Sequence, residues 1–358
     1  MNIHRYRACD STSLFQRCAW RSSKSLTRSA ENGFCSRSSM DVVVLAGGFG
    51  TRLRPWTEGR AKPLLPLLDK TLLERVVECV PLEMIDRVVV AAGYGIEEMQ
   101  RFFDSSELPY EVILSVETEA LGTGGAVALA RKHLTGSGPI LVLNGDLISS
   151  VDVAALAKHH SSTSATATLS LWPVEDPSRF GVCELDNSGY IRRFQEKPER
   201  GTEFSNLINA GCYLLEREVL DSLSLNHHSM EREIFPSIAE SGRMAGLEFE
   251  GFFVDAGTPS SFLEAAQVCI DNGRFSTGAI FEGSWFADAV IDGGQVSGSA
   301  IGSEVKIGIG ANLVNCVVLD GAIIGESVHL DRCLIGENAI ISDGCRLNDK
   351  VVGHGEII

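Results

Sequence analysis

The sequence lacks any long apolar run, and none approaches the ~20 residues that a membrane-spanning helix needs. It has ten cysteines but no C-x-x-C pair, so a zinc site of that kind is not supported. Four cysteines stand among apolar residues and are expected to be small buried hydrophobes: Cys79, Cys183, Cys212 and Cys269. No apolar stretch typical of a secretory signal is present either. These absences favour a reducing, cytoplasmic setting.

Positive charge is also scarce, because 31 Lys and Arg stand against 47 Asp and Glu, a net charge of −16. Nucleic-acid phosphates require clustered cations, so a nucleic-acid partner is not expected. Residues 1–39 differ, with seven basic and two acidic residues (7 − 2 = +5), which leaves −21 for residues 40–358. We predict that residues 1–39 are a disordered or cleavable extension. Three interpretations of this extension stay open: an organellar transit peptide, a disordered tail, or sequence upstream of a start at Met40.

Two domains are predicted beyond this extension, because 358 residues with 44% apolar content suffice for more than one core. Residues 40–275 begin with alternating strands and helices, typical of an α/β domain with a mixed, mainly parallel, Rossmann-like sheet and helices on both faces. Residues 280–358 lose helical periodicity, and the segment from Cys316 recurs 17 residues later from Cys333. That spacing predicts the coils of a β-helix. Within it, His329 and His354 are expected to be solvated loop residues.

A glycine-rich turn follows the first predicted strand, Val42–Leu45. Three glycines within Gly47–Gly50 let the backbone bend tightly and present its N–H groups to a ligand, and Arg52 and Lys62 follow. The turn lacks the Lys-Ser or Lys-Thr of a P-loop, and Leu53 stands where the dinucleotide pattern requires a small residue. It is therefore a phosphate cradle of another arrangement, or a purely structural turn.

The longer pattern Gly-Gly-x-Gly-Thr-Arg-Leu-x-Pro, followed by Lys62-Pro63 and Pro66, resembles the opening of the nucleotide-diphospho-sugar pyrophosphorylases (sugar-1-phosphate nucleotidyltransferases). The chain departs from that pattern at Ala61, where the family usually has proline. The resemblance covers about residues 40 to 358. It implies transfer of a nucleotide from a nucleoside triphosphate to a sugar 1-phosphate, with release of pyrophosphate. It also implies a C-terminal left-handed hexapeptide β-helix that serves assembly or regulation, and a homo-oligomer.

Two acids, Asp146 and Asp255, stand at predicted strand ends after apolar runs; Asp146 follows Gly145, and Asp255 precedes the glycine turn at Gly257. Two carboxylates suit Mg²⁺, which prefers oxygen ligands together with substrate phosphates. Both positions match the metal-binding aspartates of the family. The alternative for Asp146 is a helix N-cap before a helix over residues 151–160.

The resemblance also implies roles for three cations. Arg52 grips the departing pyrophosphate, Lys62 neutralises the α-phosphate, and Lys197 holds the attacking sugar phosphate. The Glu-Lys-Pro segment that contains Lys197 has a plainer interpretation as a surface turn. The implied sugar-binding residues are Gly181, Glu196 and Asn209. The implied nucleotide-binding residues are Ala46, Gly47, Gly48, Gly50, Thr51, Glu117, Gly122 and Thr123.

The base is predicted from Glu117, five places before Gly122, where relatives that use uridine or thymidine triphosphate commonly have glutamine. A carboxylate only accepts hydrogen bonds, and guanine presents two adjacent donors. GTP is therefore expected if Glu117 faces the base, and no preference follows if it faces solvent. The segment resembles guanylyltransferases for mannose or heptose 1-phosphate, with mannose 1-phosphate the first expectation. The alternatives are a glucose-1-phosphate thymidylyl- or uridylyltransferase, and a catalytically silent sugar-nucleotide-sensing subunit.

Overall fold

The computed structural model describes β1 (His4–Arg5) and residues 39–358. The predicted extension over residues 1–39 otherwise lies outside the described residues. The α/β region contains these strands: β2 Met40–Leu45, β3 Pro66–Leu67, β4 Lys70–Thr71, β5 Ile85–Ala92, β6 Val112–Val116, β7 Ile140–Asn144, β8 Leu147–Ser149, β9 Ala167–Pro173, β10 Gly181–Leu185, β11 Ile191–Glu196, β12 Leu207–Leu215, β13 Met244–Glu248 and β14 Phe253–Asp255.

Seven α-helices accompany these strands: α1 Leu72–Val77, α2 Ile96–Ser105, α3 Gly122–Ala130, α4 Val153–Ser162, α5 Arg217–Ser222, α6 Phe235–Glu240 and α7 Pro259–Asp271. Short 3₁₀ turns occur at Thr51–Leu53, Lys62–Leu64, Leu82–Met84, Arg131–His133 and Pro177–Arg179, and a π-helical turn at Met230–Ile234. None of the helices in the described part of the chain has both the length and the apolar character needed to cross a bilayer.

The main sheet has the strand order β11-β10-β12-β7-β2-β5-β6, with β9 joined to β12 and β13 joined to β9. Its centre is parallel, because β7, β2, β5 and β6 pair in the same direction. The added strands β12, β10 and β11 are antiparallel. Both faces of the centre are covered, and Val42, Val43 and Val44 are all fully buried. This confirms the predicted mixed α/β sheet and places the glycine turn at the carboxyl edge of the parallel strands.

A small antiparallel ribbon of β8 and β14 lies beyond that edge. It pairs Asp255 with Leu147, and the amide of Ala256 donates to the carbonyl of Asp146 at 2.9 Å. The ribbon therefore brings together two acids that are far apart in the chain.

The C-terminal region is a parallel β-helix with three sheets. Its strands are β15 Ala279–Phe281, β16 Ser284–Phe286, β17 Val290–Ile291, β18 Gln295–Ser297, β19 Ala300–Ile301, β20 Lys306–Ile307, β21 Asn312–Val314, β22 Val317–Val318, β23 Ile323–Ile324, β24 His329–Asp331, β25 Leu334–Ile335, β26 Ile340–Ile341, β27 Arg346–Asn348 and β28 Val351–Val352. The 17-residue repeat is confirmed, because Ile323 pairs with Ile340 and Leu330 pairs with Leu347. Strand β1 pairs with β17 at the edge of one sheet.

The prediction that His329 and His354 are solvated loop residues is only partly correct. His329 lies within β24 and its ring nitrogen bonds to the carbonyl of Ser327. His354 is half-buried, and its ring stacks on Trp56 of the α/β region at 6.1 Å between ring centroids. The prediction of buried cysteines is confirmed for Cys183, Cys212 and Cys269, whereas Cys79 is half-buried.

Candidate active site

Two of the predicted cations meet both predicted acids at the carboxyl edge of the sheet. The ammonium of Lys62 lies 2.6 Å from Oδ2 of Asp146, and Lys62 is only 9% exposed. Arg52 and Asp255 flank Gly257: a Cβ built there would lie 2.6 Å from Nη2 of Arg52 and 2.7 Å from Oδ1 of Asp255. A side chain at this position would therefore displace the guanidinium or the carboxylate.

The second acid, Asp255, is poorly compensated by its surroundings. Its buried Oδ1 has no hydrogen-bond partner among the described residues. Burial is the largest influence on the pKa of Asp255 and raises it, and the neighbouring charge of Asp146 raises the pKa further. Lys62 and Arg52 oppose this shift without cancelling it. A cation is the natural complement of such a site.

The pair of acids fits a magnesium ion. Within the described ranges there is no group of three or more His, Cys, Asp or Glu side chains that could bind a metal. Mg²⁺ needs no such cage, because it is commonly bound by one or two carboxylates, water and substrate phosphates. The alternative that Asp146 caps a helix is wrong: α4 begins at Val153, and its cap is Asp152, which accepts from the amide of Ala155 at 2.9 Å.

A cleft of about 450 Å³ opens beside these groups. Five of the predicted nucleotide-binding residues line it, together with Asp146: Gly47, Gly48, Glu117, Gly122 and Thr123. The other three, Ala46, Gly50 and Thr51, do not line it. Ala46 bonds through its amide to the carbonyl of Ala91, and Gly50 has a φ of 64° where the 3₁₀ turn begins.

Glu117 faces the protein, so the interpretation that it faces solvent is wrong. The residue is 9% exposed, and its Oε2 accepts from the amide of Leu121 at 3.2 Å. Its Oε1 approaches the glycine turn, since a Cβ on Gly47 would lie 3.2 Å away. Burial raises the pKa of Glu117, and the Leu121 amide only partly opposes that shift.

The predicted sugar-binding residues lie on the antiparallel extension of the sheet. Gly181 pairs with Glu196 across β10 and β11, and Asn209 lies on the neighbouring β12. Burial raises the pKa of Glu196, while Lys197 lowers it through an ion pair of 3.3 Å. Lys197 is largely exposed and, among the described ion pairs, has none with either aspartate. The third cation is therefore described only beside Glu196, and no ion pair joins it to the acids near Arg52 and Lys62 in the described part of the chain.

Sequence reasoning missed Glu231, which links the two halves of the site. The hydroxyl of Thr123 donates to its Oε2 at 2.6 Å, and its charge raises the pKa of Glu196. Glu231 lies in the π-helical turn, far along the chain from Thr123, and no motif indicated it. Phe49 was also missed: it lines the cleft, is 58% exposed and packs on Tyr94 at 5.6 Å between centroids.

Comparison with known proteins agrees with this geometry. The Nucleotidyl transferase family model matches residues 41–272. The chain belongs to the nucleotidyl transferase family. A second model, the GlmU-like C-terminal hexapeptide, matches residues 265–351. The sheet, the glycine turn and both acids fall within the first match, and the β-helix accounts for the second.

Relatives in this nucleotidyl transferase family include named guanylyltransferases. A probable mannose-1-phosphate guanylyltransferase 2 of Oryza sativa subsp. japonica is 37% identical over 293 residues, 79% of each chain. Mannose-1-phosphate guanylyltransferase 1 of Arabidopsis thaliana is 35% identical over 302 residues, which cover 80% of this chain and 82% of the relative. The mannose-1-phosphate guanylyltransferase catalytic subunit beta of Xenopus tropicalis is 37% identical over 228 residues, 63% of each chain.

Solved structures of similar fold include two of HddC from Yersinia pseudotuberculosis, and one of these two is complexed with GMP-PN. It is 27% identical with a TM-score of 0.54, and the match covers 64% of this chain and 98% of HddC. A putative glucose-1-phosphate thymidylyltransferase from Bacillus anthracis is 25% identical with a TM-score of 0.58, covering 67% of this chain and 98% of that one.

Proposed function

We propose that the protein joins GTP and mannose 1-phosphate to give GDP-mannose and pyrophosphate, with Mg²⁺ as cofactor. The observation that carries the proposal is the buried carboxylate of Glu117 in the same cleft as the Lys62–Asp146 pair. A carboxylate that can accept from a base, in a cleft also lined by the acid that pairs with Lys62, suits a nucleoside triphosphate. The relatives named for mannose-1-phosphate guanylyltransfer support the same substrates.

In the proposed reaction, a phosphate oxygen of the sugar 1-phosphate attacks the α-phosphorus of GTP in line. A new P–O bond forms as the bond to pyrophosphate breaks, and pyrophosphate leaves with its electron pair. Two anions must approach each other, so catalysis consists of positioning and charge neutralisation. The attacking group is already anionic, and no general base is required.

Each cation has a proposed place in this reaction. Lys62, beside Asp146, neutralises the α-phosphate. Arg52 holds the departing pyrophosphate, and Lys197 holds the phosphate of the incoming sugar. Lys197 directly follows β11 of the antiparallel extension, whereas Arg52 and Lys62 follow β2, so the proposed contacts to the two substrates come from different parts of the sheet.

Members of this family generally use a divalent metal ion. Asp146 and Asp255 would hold Mg²⁺, which, when bound, supplies further neutralisation of phosphate charge. The unpartnered Oδ1 of Asp255 supports that role.

The choice of base follows from the hydrogen-bonding capacity of Glu117. An ionised carboxylate accepts from the two adjacent donors of guanine, whereas uracil and thymine would place carbonyl oxygens against it. The burial of Glu117 strengthens the discrimination, because an unpaired carboxylate in that position is costly. The choice of mannose depends on the named relatives.

Two further parts of the proposal concern assembly and location. The match of residues 265–351 to a hexapeptide-repeat model favours a homo-oligomer through the β-helix. A cytoplasmic location agrees with the seven cysteines of the described residues, which are all free thiols.

The test is pyrophosphate release with each of four nucleoside triphosphates and a panel of sugar 1-phosphates. Release is expected with GTP and mannose 1-phosphate. A Glu117→Gln variant is expected to lose preference for GTP by about 10-fold or more, since one bidentate contact accounts for roughly 1–3 kcal/mol of discrimination. The control is Glu119→Gln, which changes an exposed acid of the same loop. A preference for UTP or dTTP would refute the guanylyl assignment, and binding of sugar nucleotides without turnover would indicate a regulatory subunit.

A further inference from the structure

The segment that carries Arg52 and Lys62 has little regular structure of its own. We call residues 46–62 the phosphate loop. It contains only the 3₁₀ turn Thr51–Leu53 and isolated turns up to Lys62. Inside the α/β region, its fixed points include the bond from the Thr57 hydroxyl to the carbonyl of Gly50, at 2.9 Å, and the bond from the Ala61 amide to Glu98, at 2.7 Å. The hydrogen bonds inside the loop are short-range turn bonds, such as the one from the Trp56 amide to the carbonyl of Leu53, so the position of the loop on the sheet depends on its surroundings.

The outer part of the phosphate loop is held by the β-helix. The indole of Trp56 donates to the carbonyl of Val352 at 2.9 Å, and Trp56 is fully buried. On its other side the indole packs edge-on against Phe262 of α7, at 5.7 Å between centroids. Trp56 stands between Arg52 and Lys62 in the chain, so this contact fixes the segment that joins the two cations.

A second contact is an ion pair across the same boundary. The guanidinium of Arg60 donates two hydrogen bonds to the carboxylate of Glu337, at 2.5 and 2.9 Å. Both side chains are about three-quarters buried. A two-pronged pair of this kind fixes orientation as well as distance. Arg60 is separated from Lys62 by Ala61 alone.

His354 joins these two contacts into one network. Its Nδ1 accepts from the amide of Glu337 at 3.1 Å, which places the ring proton on Nε2. That Nε2–H donates to the carbonyl of Trp56 at 3.1 Å, while the two rings stack at an interplanar angle of 27°. The histidine thus ties the turn that carries Glu337 to the backbone of the phosphate loop.

We propose that the last two coils of the β-helix hold the phosphate loop in its catalytic position. The β-helix is then a part of the active-site scaffold, in addition to any part in assembly. The positioning residues are Trp56, Arg60, Glu337 and His354. None of them lines the nucleotide cleft. The proposal rests on the proposed function for its kinetic consequences, but its structural claim is testable without turnover.

The experiment compares four variants of the full chain: Glu337→Ala, Arg60→Ala, the double variant, and Asp349→Ala as the matched control. Asp349 forms an equivalent two-pronged pair with Arg332, at 2.8 and 2.9 Å, but within the β-helix. For each variant one measures kcat, KM for GTP and for mannose 1-phosphate, and hydrogen exchange of the phosphate-loop amides. The Trp56 and Glu58 amides, bonded to Leu53 and Pro55, report directly on the loop.

The two single variants are expected to lower kcat by about tenfold, because small displacements of a catalytic cation cost on that order. KM for GTP rises, and KM for mannose 1-phosphate stays unchanged, since Lys197 and Glu196 lie on other strands. The double variant is expected to lose no more than Arg60→Ala, because that change already breaks the pair with Glu337 as well as the ion pair of 3.7 Å with Glu98. Loop amides exchange faster in these three proteins and not in Asp349→Ala.

Wild-type kinetics and loop exchange in Glu337→Ala would overturn the proposal, even if its thermal midpoint fell. An equal loss in Asp349→Ala would also overturn it, because the effect would then report general damage to the β-helix. If the wild-type protein released no pyrophosphate with any triphosphate, the proposed function would fail. Loop exchange would still decide whether the β-helix holds the phosphate loop.

Discussion

At the residue scale, Lys62 is the side chain on which the chemistry depends most. It lies 2.6 Å from Asp146 in the cleft. We expect Lys62→Ala to lower turnover by about 100-fold or more while the fold is retained, the scale of losing one preorganised charge. Asp146→Asn is expected to have a similar effect.

The matched control for Lys62 is Lys70→Ala. Lys70, the first residue of β4, also forms an ion pair of 2.6 Å, with Glu78. Lys70 does not line the cleft. Steady-state pyrophosphate release and circular dichroism would be measured for both variants. Near-normal turnover in Lys62→Ala, with folding intact, would remove Lys62 from the mechanism.

At the element scale, Gly50 sets the geometry of the phosphate loop. Its φ of 64° is the left-handed region, and a Cβ there would lie 2.9 Å from Cγ2 of Thr57 and 3.2 Å from Cβ of Lys62. Gly50→Ala is expected to cost about 1–2 kcal/mol in unfolding free energy from backbone strain alone. It is also expected to reduce turnover, because the added methyl group presses on Lys62.

Gly59→Ala is the control for this prediction. Gly59 lies in the same loop, but a Cβ there would meet no atom within 4 Å, and its φ is not in the left-handed region. Urea unfolding and pyrophosphate release would show whether the two alanines differ. Equal effects of the two substitutions would mean that the conformation of Gly50 is not needed.

The contact between the phosphate loop and the β-helix predicts a dependence on pH. Burial lowers the pKa of His354 below its ordinary value of 6.5, and Arg60 lowers it further, while Glu337 and Glu98 oppose the shift. The unfolded chain therefore binds a proton on this residue before the folded chain does, and stability falls as pH falls through 6.5. Thermal midpoints measured from about pH 8 to about pH 5.5 should decline more steeply for the wild type than for His354→Gln. Parallel declines would show that His354 contributes nothing to this dependence.

At the scale of the whole molecule, local patterns predicted the elements well and contacts between distant segments poorly. The predicted strand Val42–Leu45 lies within β2, Met40–Leu45, because its apolar run ends at the glycine turn. The 17-residue repeat predicted the β-helix register, because stacked coils place like residues over one another. The two acids were found through their common position after an apolar strand.

Contacts between distant segments carry no local sequence signal. Nothing beside Thr123 in the chain indicates that its hydroxyl bonds to Glu231. The same holds for the contact of His354 with Trp56, which only the docking of the β-helix on the α/β region creates. The predicted roles of Arg52, Lys62 and Lys197 remain predictions, and the structure adds that Lys197 forms an ion pair with Glu196.

Whether the protein transfers a nucleotide with a metal held by Asp146 and Asp255 is tested most directly by pyrophosphate release. The wild-type protein would be assayed with GTP and mannose 1-phosphate, with Mg²⁺ and after chelation. We expect release with Mg²⁺, loss of nearly all release when the metal is removed, and recovery when Mg²⁺ is restored, because Asp255 would otherwise face the phosphates with its Oδ1 unpartnered. Release that continues undiminished after chelation would show that the reaction does not depend on a metal held by Asp146 and Asp255.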